Sequence, residues 1–359
     1  MSLDGSPSVL HANVLGLGLI GGSLALALSA AGYSVGGADA DVSKVDDALG
    51  RGIIHHAGLY PDAAVTFVAT PVGTVVEQVS RALSETSGVV TDVGSVKAHV
   101  AREIHSPRFV PGHPMAGSEL DGLDGADASM FAGAVWVLTP TDETSDSSVA
   151  LVAGLASRFG AEVVALDPEQ HDDVVAVVSH VPHLTAATLM RLAETRSEEH
   201  LALLRLAAGG FRDMTRIASG RPNIWLDICD QNADAIVRSL DALIDGLRDM
   251  RDVVQSHDRS GLLARLDQAR RARTNLPTNA GPVENLAEVR IPIPDRPGSA
   301  ADVFTLSGEL AVNIYDFEVV HSVEGDRGVM VVVIRADHAD VFRGGLLARG
   351  FRPSISPLS

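Results

Sequence analysis

A glycine-rich turn near the start of the chain constrains the fold more than any other feature. The turn joins a short apolar strand to a helix rich in Leu and Ala, and its spaced glycines are Gly16, Gly18 and Gly21. In this pattern the first glycine allows a tight turn, the second lets a pyrophosphate approach the backbone, and the third lets the helix pack against the strand. Because unpaired N–H groups and the helix dipole favour anions at a helix N-terminus, the segment predicts a dinucleotide site.

The residue after the second predicted strand indicates which dinucleotide binds. This strand, residues 34–38, is followed by Asp39. An acidic side chain at this point can accept hydrogen bonds from both ribose hydroxyls of NAD and would repel the 2′-phosphate of NADP. The sequence therefore predicts NAD as the cofactor.

Composition and charge narrow the class of protein. The hydrophobic share of 46% over 359 residues allows two or three domains with sizeable cores. A formal charge of −18 argues against nucleic acid or an anionic membrane as a partner. No uninterrupted apolar run reaches the roughly 18 residues that span a bilayer. The N-terminus lacks the features of a signal peptide, and the single cysteine, Cys229, fits a reducing compartment, so we expect a cytoplasmic protein.

Residues 1–166 are predicted to form a Rossmann domain, which is a doubly wound parallel sheet with helices on both faces. Short β-branched runs alternate there with helical patterns, as in other α/β folds. The predicted strands are Asn13–Leu15, Ser34–Ala38, Val65–Ala69, Gly88–Asp92, Phe109–Pro111, Ala134–Leu138 and Glu162–Leu166.

Residues 167–276 are predicted to form an all-α domain. Helical periodicity marks the segments Asp172–Val181, His183–Glu194, Glu198–Ala208, Ile224–Ser256 and Ser260–Thr274. If continuous, Ile224–Ser256 would be about 50 Å long at roughly 1.5 Å per residue. Because so long a helix rarely finds enough cover within one small domain, we expect this region to form a homodimer interface.

The C-terminal part is predicted to be a separate α+β module. Residues 277–284 are rich in Pro, Gly and Asn and are typical of a linker. Residues 285–359 follow a β-α-β-β-α-β order, which is that of a ferredoxin-like module. The predicted elements are the strands Asn285–Ile293, Val312–Val323, Gly328–Arg335 and Phe351–Ile355 and the helices Ser299–Glu309 and Ala339–Arg349.

His113 is the strongest candidate for proton transfer. It lies between Gly112 and Pro114 at the end of a predicted strand, and open α/β sheets bind ligands at that end. Histidine can take up or release a proton near neutral pH. Ser95 follows another predicted strand and is expected to begin a helix, where its simplest role is as the N-cap.

The helical region supplies further candidates. His180 and His183 are about one helical turn apart, but no thiolate lies near them in the sequence, so we predict no metal site. Arg216 follows two glycines and could bind a carboxylate bidentately. Arg212 is expected to be an exposed surface charge. Taken alone, Trp225 is more typical of a core residue than of a ligand contact.

In order, these segments resemble the prephenate/arogenate dehydrogenase family of tyrosine biosynthesis. The matching segments cover almost the whole chain and comprise residues 16–23, 92–97, 113–119, 179–183 and 210–216. The C-terminal module similarly resembles an ACT domain, with residues 295–299 in place of that family's D-x-P-G turn. Ala300 stands where an apolar residue usually follows this turn.

The resemblance implies an NAD-dependent oxidative decarboxylation of prephenate or of arogenate. It implies that His113 bonds the ring hydroxyl and assists removal of its proton, that Ser95 orients this pair, and that Arg216 binds a substrate carboxylate. The other implied substrate contacts are His183, Ser118, Glu119, Gly210, Asp213 and Trp225, with Glu119 and Asp213 in an ionic network around Arg216. The implied cofactor contacts are Gly16, Gly18, Leu19, Ile20, Gly21, Asp39, Thr70 and Pro71.

Several alternatives stay open at this point. The sequence contains no residue that decides between prephenate and arogenate, and the strictness for NAD over NADP is undetermined. The ACT-like module suggests tyrosine as an effector, so a redox- and amino-acid-sensing regulatory protein is a second class. Hydroxyacyl-CoA and phosphogluconate-type dehydrogenases share the glycine-rich turn but lack the segment from His113 to Glu119. A Ser-His hydrolase is disfavoured because Ser95 lacks a G-x-S-x-G elbow.

Overall fold

The computed structural model describes residues 10–118, 120–197, 209–274, 286–294, 296, 298–321 and 327–357. Contacts divide the chain into two compact units, Met1–Gly246 and Leu247–Ser359. The predicted linker, residues 277–284, lies outside the described residues, as does the predicted helix Glu198–Ala208.

A six-stranded parallel sheet with the order β3-β2-β1-β4-β5-β6 forms the centre of the first unit. Its strands are β1 (Leu10–Leu15), β2 (Tyr33–Ala38), β3 (His56–Ala57), β4 (Val65–Val68), β5 (Val89–Asp92) and β6 (Phe109–Val110). The helices α1 (Leu19–Ala30), α2 (Val42–Gly50), α3 (Val75–Glu85) and α4 (Ala98–Glu103) connect them. Strands β1 and β4 are buried on both faces, with Val14 and Phe67 fully covered, as parallel sheets require. Because all six strands are parallel, their carboxyl ends meet at one edge.

A second, three-stranded sheet contains the last two strands predicted for this domain. It comprises β7 (Gly112–Pro114), β8 (Val135–Leu138) and β9 (Glu162–Ala165), and α5 (Asp146–Arg158) lies between β8 and β9. Strand β7 runs antiparallel to β8. Pro111, which has no N–H to donate, separates β6 from β7 and ends the pairing of the large sheet there. The sequence therefore predicted the Rossmann strands correctly but not this division into two sheets.

The helical region begins with one uninterrupted run. It consists of α6 (Pro168–Val175), a π-helical turn (Ala176–His180) and α7 (Val181–Ser197). The sequence predicted a break near Pro182, and that prediction is wrong. The wider π turn directly before the proline relieves the clash that its ring would otherwise make with the preceding turn.

The following elements are α8 (Gly209–Thr215), a 3₁₀ turn (Arg216–Ser219), α9 (Pro222–Gln231), α10 (Ala233–Gln255) and α11 (Arg259–Thr274). The predicted single helix Ile224–Ser256 is wrong, because α9 ends at Gln231 and α10 begins at Ala233. Asn232 lies between them with non-helical dihedral angles, φ −117° and ψ 28°. Its side chain is bonded to the α6 segment, so a tertiary contact decides the break.

One helical stretch, Pro168–Thr195, is long and apolar enough to cross a membrane by length and composition alone. This stretch is the run formed by α6, the π turn and α7. His171, Asp172 and His180 lie buried on it and are hydrogen-bonded to polar groups of other segments of the first unit. Such polar contacts are typical of a helix that packs inside a globular unit.

The C-terminal module has the predicted β-α-β-β-α-β order. Its elements are β10 (Leu286–Pro294), α12 (Ser299–Glu309), β11 (Asp316–His321), β12 (Arg327–Arg335), α13 (Ala339–Ala348) and β13 (Ser354–Pro357). The strands form one antiparallel sheet in the order β11-β12-β10-β13. Fully buried residues of the two central strands and of α13 form its core: Val289, Ile291, Met330, Val332, Phe342 and Leu346. Asp295 and Pro297 of the predicted ACT-like turn lie outside the described residues.

Candidate active site

The glycine-rich turn has the geometry of a dinucleotide cradle. Gly16 has φ +92°, which is a conformation that favours glycine, and a Cβ atom there would lie 2.5 Å from the Ala69 carbonyl oxygen. A Cβ atom on Gly21 would lie 1.8 Å from the Gly16 carbonyl oxygen. In contrast, a Cβ atom on Gly18 would meet nothing within 4 Å. Gly18 is the N-cap of α1 and provides no side-chain cap, so no capping side chain satisfies the first amides of the helix.

Two residues beside this turn fit a bound dinucleotide. Thr70 follows β4, and its Oγ1 is buried without a hydrogen-bond partner. Asp39 follows β2, and its carboxylate accepts hydrogen bonds from the amides of Leu17 at 2.7 Å and Asp41 at 2.9 Å. The turn, the orphaned hydroxyl and this carboxylate all lie at the carboxyl edge of the sheet, where doubly wound folds bind ligands. The implied contacts Leu19 and Ile20 open α1 and are half-buried, and Pro71 is exposed.

A buried ion pair fixes the segment that carries His113. Lys97 is fully buried, and its Nζ donates to the carboxylate of Asp92 and, at 2.8 Å, to the Gly112 carbonyl oxygen. The second Asp92 oxygen accepts from the Gly112 amide at 3.2 Å. Both groups therefore hold the start of β7 beside the end of β5. Breaking such a buried pair by removing one partner is strongly destabilising.

The ring of His113 bonds directly to a second histidine. It is 9% exposed, and its Nδ1 lies 2.9 Å from Nε2 of His171. The Nδ1 atom of His171 in turn lies 2.8 Å from Oδ1 of Asp172. The Asp172 carboxylate also accepts hydrogen bonds from the backbone amides of Lys97 at 2.8 Å and Ala98 at 2.9 Å. This chain of contacts joins the helical region to the edge of the Rossmann sheet.

Ser95 does not begin a helix, contrary to the prediction. Helix α4 begins at Ala98, and its cap, Lys97, makes no side-chain capping bond. The Asp172 carboxylate satisfies the amides at this helix end instead. Ser95 is half-buried in the bend between β5 and α4. Among the hydrogen bonds of the described residues, none joins Ser95 to the His113 ring.

A second group of polar side chains is connected to Asp172 through Asn232. Asn232 donates from Nδ2 to the Asp172 carbonyl oxygen at 2.9 Å and to Nδ1 of His180 at 3.3 Å. The rings of His183 and Trp225 stack with centroids 3.7 Å apart, and the His180 ring meets Trp225 edge-on at 6.0 Å. Hydrogen bonds and ring contacts thus connect His113 with His183 and Trp225.

The arginine segment lies next to this group. Arg216 begins the 3₁₀ turn after α8, and that turn packs against α7, which carries His183. At the end of the same turn, a Cβ atom on Gly220 would lie 3.5 Å from Cε1 of His183. Gly210, Arg212, Asp213, Arg216 and Ser118 are all exposed. Glu119 lies outside the described residues.

Burial lowers the pKa of three histidines at this site. Desolvation, reinforced by the nearby His171 and Lys97, holds the pKa of His113 well below its ordinary value of 6.5. Burial lowers the pKa of His180 to about 4 and also lowers the pKa of His183. Desolvation lowers the pKa of Lys97 as well, although Asp92 opposes that effect.

Several residues of the site were not predicted from the sequence patterns described above. Lys97 and Asp92 lie within the matching segment 92–97, and Asp172 begins a predicted helix, but the sequence assigned none of them a role. A lysine five residues after the aspartate that ends a strand was the available signal for the buried pair. Nothing local in the sequence indicates that Asn232 reaches Asp172, because 60 residues separate them.

Together, a Rossmann sheet with an open glycine-rich turn and a buried neutral histidine at its carboxyl edge define a nucleotide-dependent dehydrogenase. A family model described as the nucleotide-binding domain of prephenate dehydrogenase matches residues 24–165. A second model, described as the dimerization domain of prephenate dehydrogenase, matches residues 167–268.

Relatives support the same family. A prephenate dehydrogenase of Bacillus subtilis is 33% identical over 90% of this chain and 91% of its own length. A cyclohexadienyl dehydrogenase of Zymomonas mobilis is 31% identical over 75% of this chain and 97% of its own. The crystal structure of prephenate dehydrogenase from A. aeolicus with hydroxyphenyl propionate and NAD+ has a TM-score of 0.71 at 28% identity, covering 76% of this chain and 100% of that chain. The chain belongs to the prephenate dehydrogenase family.

Proposed function

We propose that this protein catalyses the NAD-dependent oxidative decarboxylation of prephenate to 4-hydroxyphenylpyruvate. The observation that carries the proposal is His113, a buried histidine with a lowered pKa, held beside the carboxyl edge of a nucleotide-binding sheet. The family relationship supports the substrate class, and relatives named prephenate dehydrogenase match most of the chain.

The residues of the cradle would hold NAD. The open amides at the start of α1 suit the pyrophosphate, and the Asp39 carboxylate suits the ribose hydroxyls. In the described ion pairs, Lys44 is the cation nearest to that carboxylate. Its Nζ lies 3.6 Å from Oδ1 of Asp39. When bound, NAD accepts the hydride from the hydroxyl-bearing carbon.

His113 takes the proton from the ring hydroxyl of the substrate. Because its pKa is low, its ring is neutral and able to act as a base at neutral pH. Ser95, in the bend between β5 and α4, is proposed to orient His113 and the hydroxyl. Loss of CO₂ restores aromaticity, so the chain mainly has to position the substrate and stabilise charge.

Arg216 is proposed to bind a substrate carboxylate. The substrate is a dianion and the chain has a net charge of −18, so binding requires a local cation. The stacked pair of His183 and Trp225 packs near the turn that carries Arg216. Asp213 is proposed to orient Arg216, and Gly210, Ser118 and Glu119 complete the proposed substrate contacts.

Initial-rate kinetics test the proposal. NADH formation is followed by absorbance with prephenate or arogenate as substrate and with NAD or NADP as cofactor. We expect turnover with prephenate and NAD. The absence of NADH formation with either substrate, in protein that still binds NAD, would contradict the proposal.

Arogenate is the second candidate substrate. The chain also resembles a Synechocystis arogenate dehydrogenase, with a TM-score of 0.65 and 28% identity over 75% of this chain and 100% of that chain. Arogenate carries an amine where prephenate has a keto group, so the ratio of kcat/KM values for the two substrates decides between them.

The remaining proposals concern partners and location. A cytoplasmic homodimer is supported by the family model named for dimerization and by exposed apolar residues of the helical region, such as Val177 and Leu226. Tyrosine is proposed as an effector of the C-terminal module. Ser299 supports a ligand there, because its hydroxyl is buried without a partner at the N-terminus of α12.

A further inference from the structure

The hydrogen bonds around Asp172 determine where the hydrogen of His171 lies. A carboxylate can only accept hydrogen bonds. The Asp172 carboxylate already accepts from the amides of Lys97 and Ala98, and its Oδ1 lies 2.8 Å from Nδ1 of His171. Nδ1 of His171 therefore carries the hydrogen and donates it to Asp172. In the neutral ring, Nε2 of His171 is then left with a lone pair.

This lone pair sets the tautomer of His113. Nδ1 of His113 lies 2.9 Å from Nε2 of His171, so His113 is the donor in that bond when Nδ1 carries the only hydrogen of the His171 ring. A neutral His113 ring with its hydrogen on Nδ1 has its lone pair on Nε2. His171 is fully buried and His113 is 9% exposed, so little water competes for the bond. The nitrogen that remains available to a substrate is thus the basic one.

We propose that His171 and Asp172 are positioning residues that hold His113 in the tautomer with a free, basic Nε2. The proposal rests on the function proposed above, because His113 is the base in that reaction. In the proton-transfer step, the O–H bond of the substrate breaks and an N–H bond forms at Nε2 of His113. The electron pair of the O–H bond forms the carbonyl as the hydride leaves for NAD. The Nδ1–H bond to His171, backed by Asp172, stabilises the resulting imidazolium.

Other titratable groups act on the same ring. Burial has the largest effect on the pKa of His113, and His171, Lys97 and His180 also disfavour a positive charge on that ring. Asp92 offsets the Lys97 charge through their ion pair. The Asp172 carboxylate is connected to His113 through the ring of His171, so its effect on the charge of the His113 ring depends on His171.

The tautomer can be measured without any substrate. Nitrogen NMR of ring-labelled full-length protein reports which ring nitrogen of His113 carries hydrogen. In the unsubstituted protein we expect hydrogen on Nδ1. In His171→Leu, which removes the acceptor, we expect the preference for Nδ1 to be lost. In His171→Gln the side-chain carbonyl can still accept, so we expect the preference to be largely retained.

Kinetics give the second readout. We expect kcat of His171→Leu to fall by about 10- to 100-fold with little change in KM, which is part of the roughly 10²–10⁴-fold that a general base supplies. His171→Gln should recover most of this loss. His105→Gln, a substitution at an exposed histidine, is the matched control and should leave kcat unchanged.

The outcomes separate this proposal from the proposed function. Hydrogen on Nε2 of His113 in the unsubstituted protein, or an unchanged tautomer and kcat in His171→Leu, would overturn the positioning role. If His171→Leu fails to fold, the tautomer of the unsubstituted protein decides, because hydrogen on Nε2 of His113 contradicts the proposal. The expected tautomers in a protein that does not oxidise prephenate would support the positioning role while the proposed function fails.

Discussion

A buried imidazole is an effective base only if its protonated form is supported at the moment of reaction. Burial, reinforced by His171 and Lys97, lowers the pKa of His113 and so favours its neutral form in the resting protein. The hydrogen bond through His171 to Asp172 is the contact that favours the charged form. Different features of the site thus keep His113 neutral at rest and support its protonated form during the reaction.

The role of His113 leads to the first prediction. Asparagine retains hydrogen-bonding groups but cannot take up the proton, so His113→Asn should lower kcat by about 10²–10⁴-fold with little change in KM. His105→Asn, at an exposed position, serves as the control. Unchanged turnover in His113→Asn would exclude this histidine from the chemical step.

The second prediction concerns substrate affinity. Arg216→Ala should chiefly raise KM for prephenate, because it removes a charged hydrogen bond worth roughly 1.5–3 kcal/mol. Arg212→Ala is the matched control, since Arg212 is exposed on α8 one turn earlier. A fall in kcat with constant KM would assign Arg216 a different role.

At the scale of the element, the glycine-rich turn distinguishes a packing glycine from a binding glycine. A Cβ atom on Gly21 would lie 1.8 Å from the backbone of Gly16, whereas one on Gly18 would enter open space. Gly21 is therefore required by the fold, and Gly18 leaves room for a ligand.

Paired substitutions test this distinction. Gly21→Ala should lower the melting temperature, because the helix must move away from the turn. Gly18→Ala should leave the melting temperature nearly unchanged and raise KM for NAD. Calorimetry and initial rates measure the two effects. Equal losses of stability in both variants would contradict the assignment.

The elements also show how far the sequence determines the structure. Every predicted Rossmann strand is present, and Ser299–Glu309 is a helix with the predicted ends, because local periodicity and the glycine-rich turn carry enough information. The continuous helix through Pro182 and the break at Asn232 depend on a π turn and on contacts with Asp172 and His180, which are distant in the chain. The His113 and Arg216 segments were likewise predictable as motifs, but the hydrogen-bond partners of His113 were not.

At the scale of the whole molecule, the buried histidines predict acid sensitivity. His180 has a pKa of about 4 in the folded protein and about 6.5 when unfolded, so the unfolded chain binds more protons between these values. Stability should therefore decrease as the pH falls from about 6.5 to about 4. His113, with its lowered pKa, contributes in the same direction.

Thermal unfolding across this pH range measures the effect. His180→Gln keeps an acceptor for Asn232 but cannot titrate, so the melting temperature of this variant should vary less steeply with pH. An identical pH dependence in the variant and the unsubstituted protein would show that His180 does not contribute.

Exposed apolar residues of the helical region predict self-association. Val177 and Val178 are 59% and 60% exposed on the π turn. We expect a dimer in analytical ultracentrifugation at micromolar concentration and a monomer after Val177→Asp with Val178→Asp. Val42→Asp, at a position 68% exposed on α2, is the matched control. A monomeric unsubstituted protein would rule out this interface.

The position of Asp172 has a consequence for motion. Its side chain holds the amides at the start of α4, its carbonyl accepts from Asn232, and the same carboxylate supports His171. Any hinge opening between the helices and the nucleotide sheet at this point would break the support of the base. A conformer in which these contacts are broken would therefore leave His113 without that support and should be inactive.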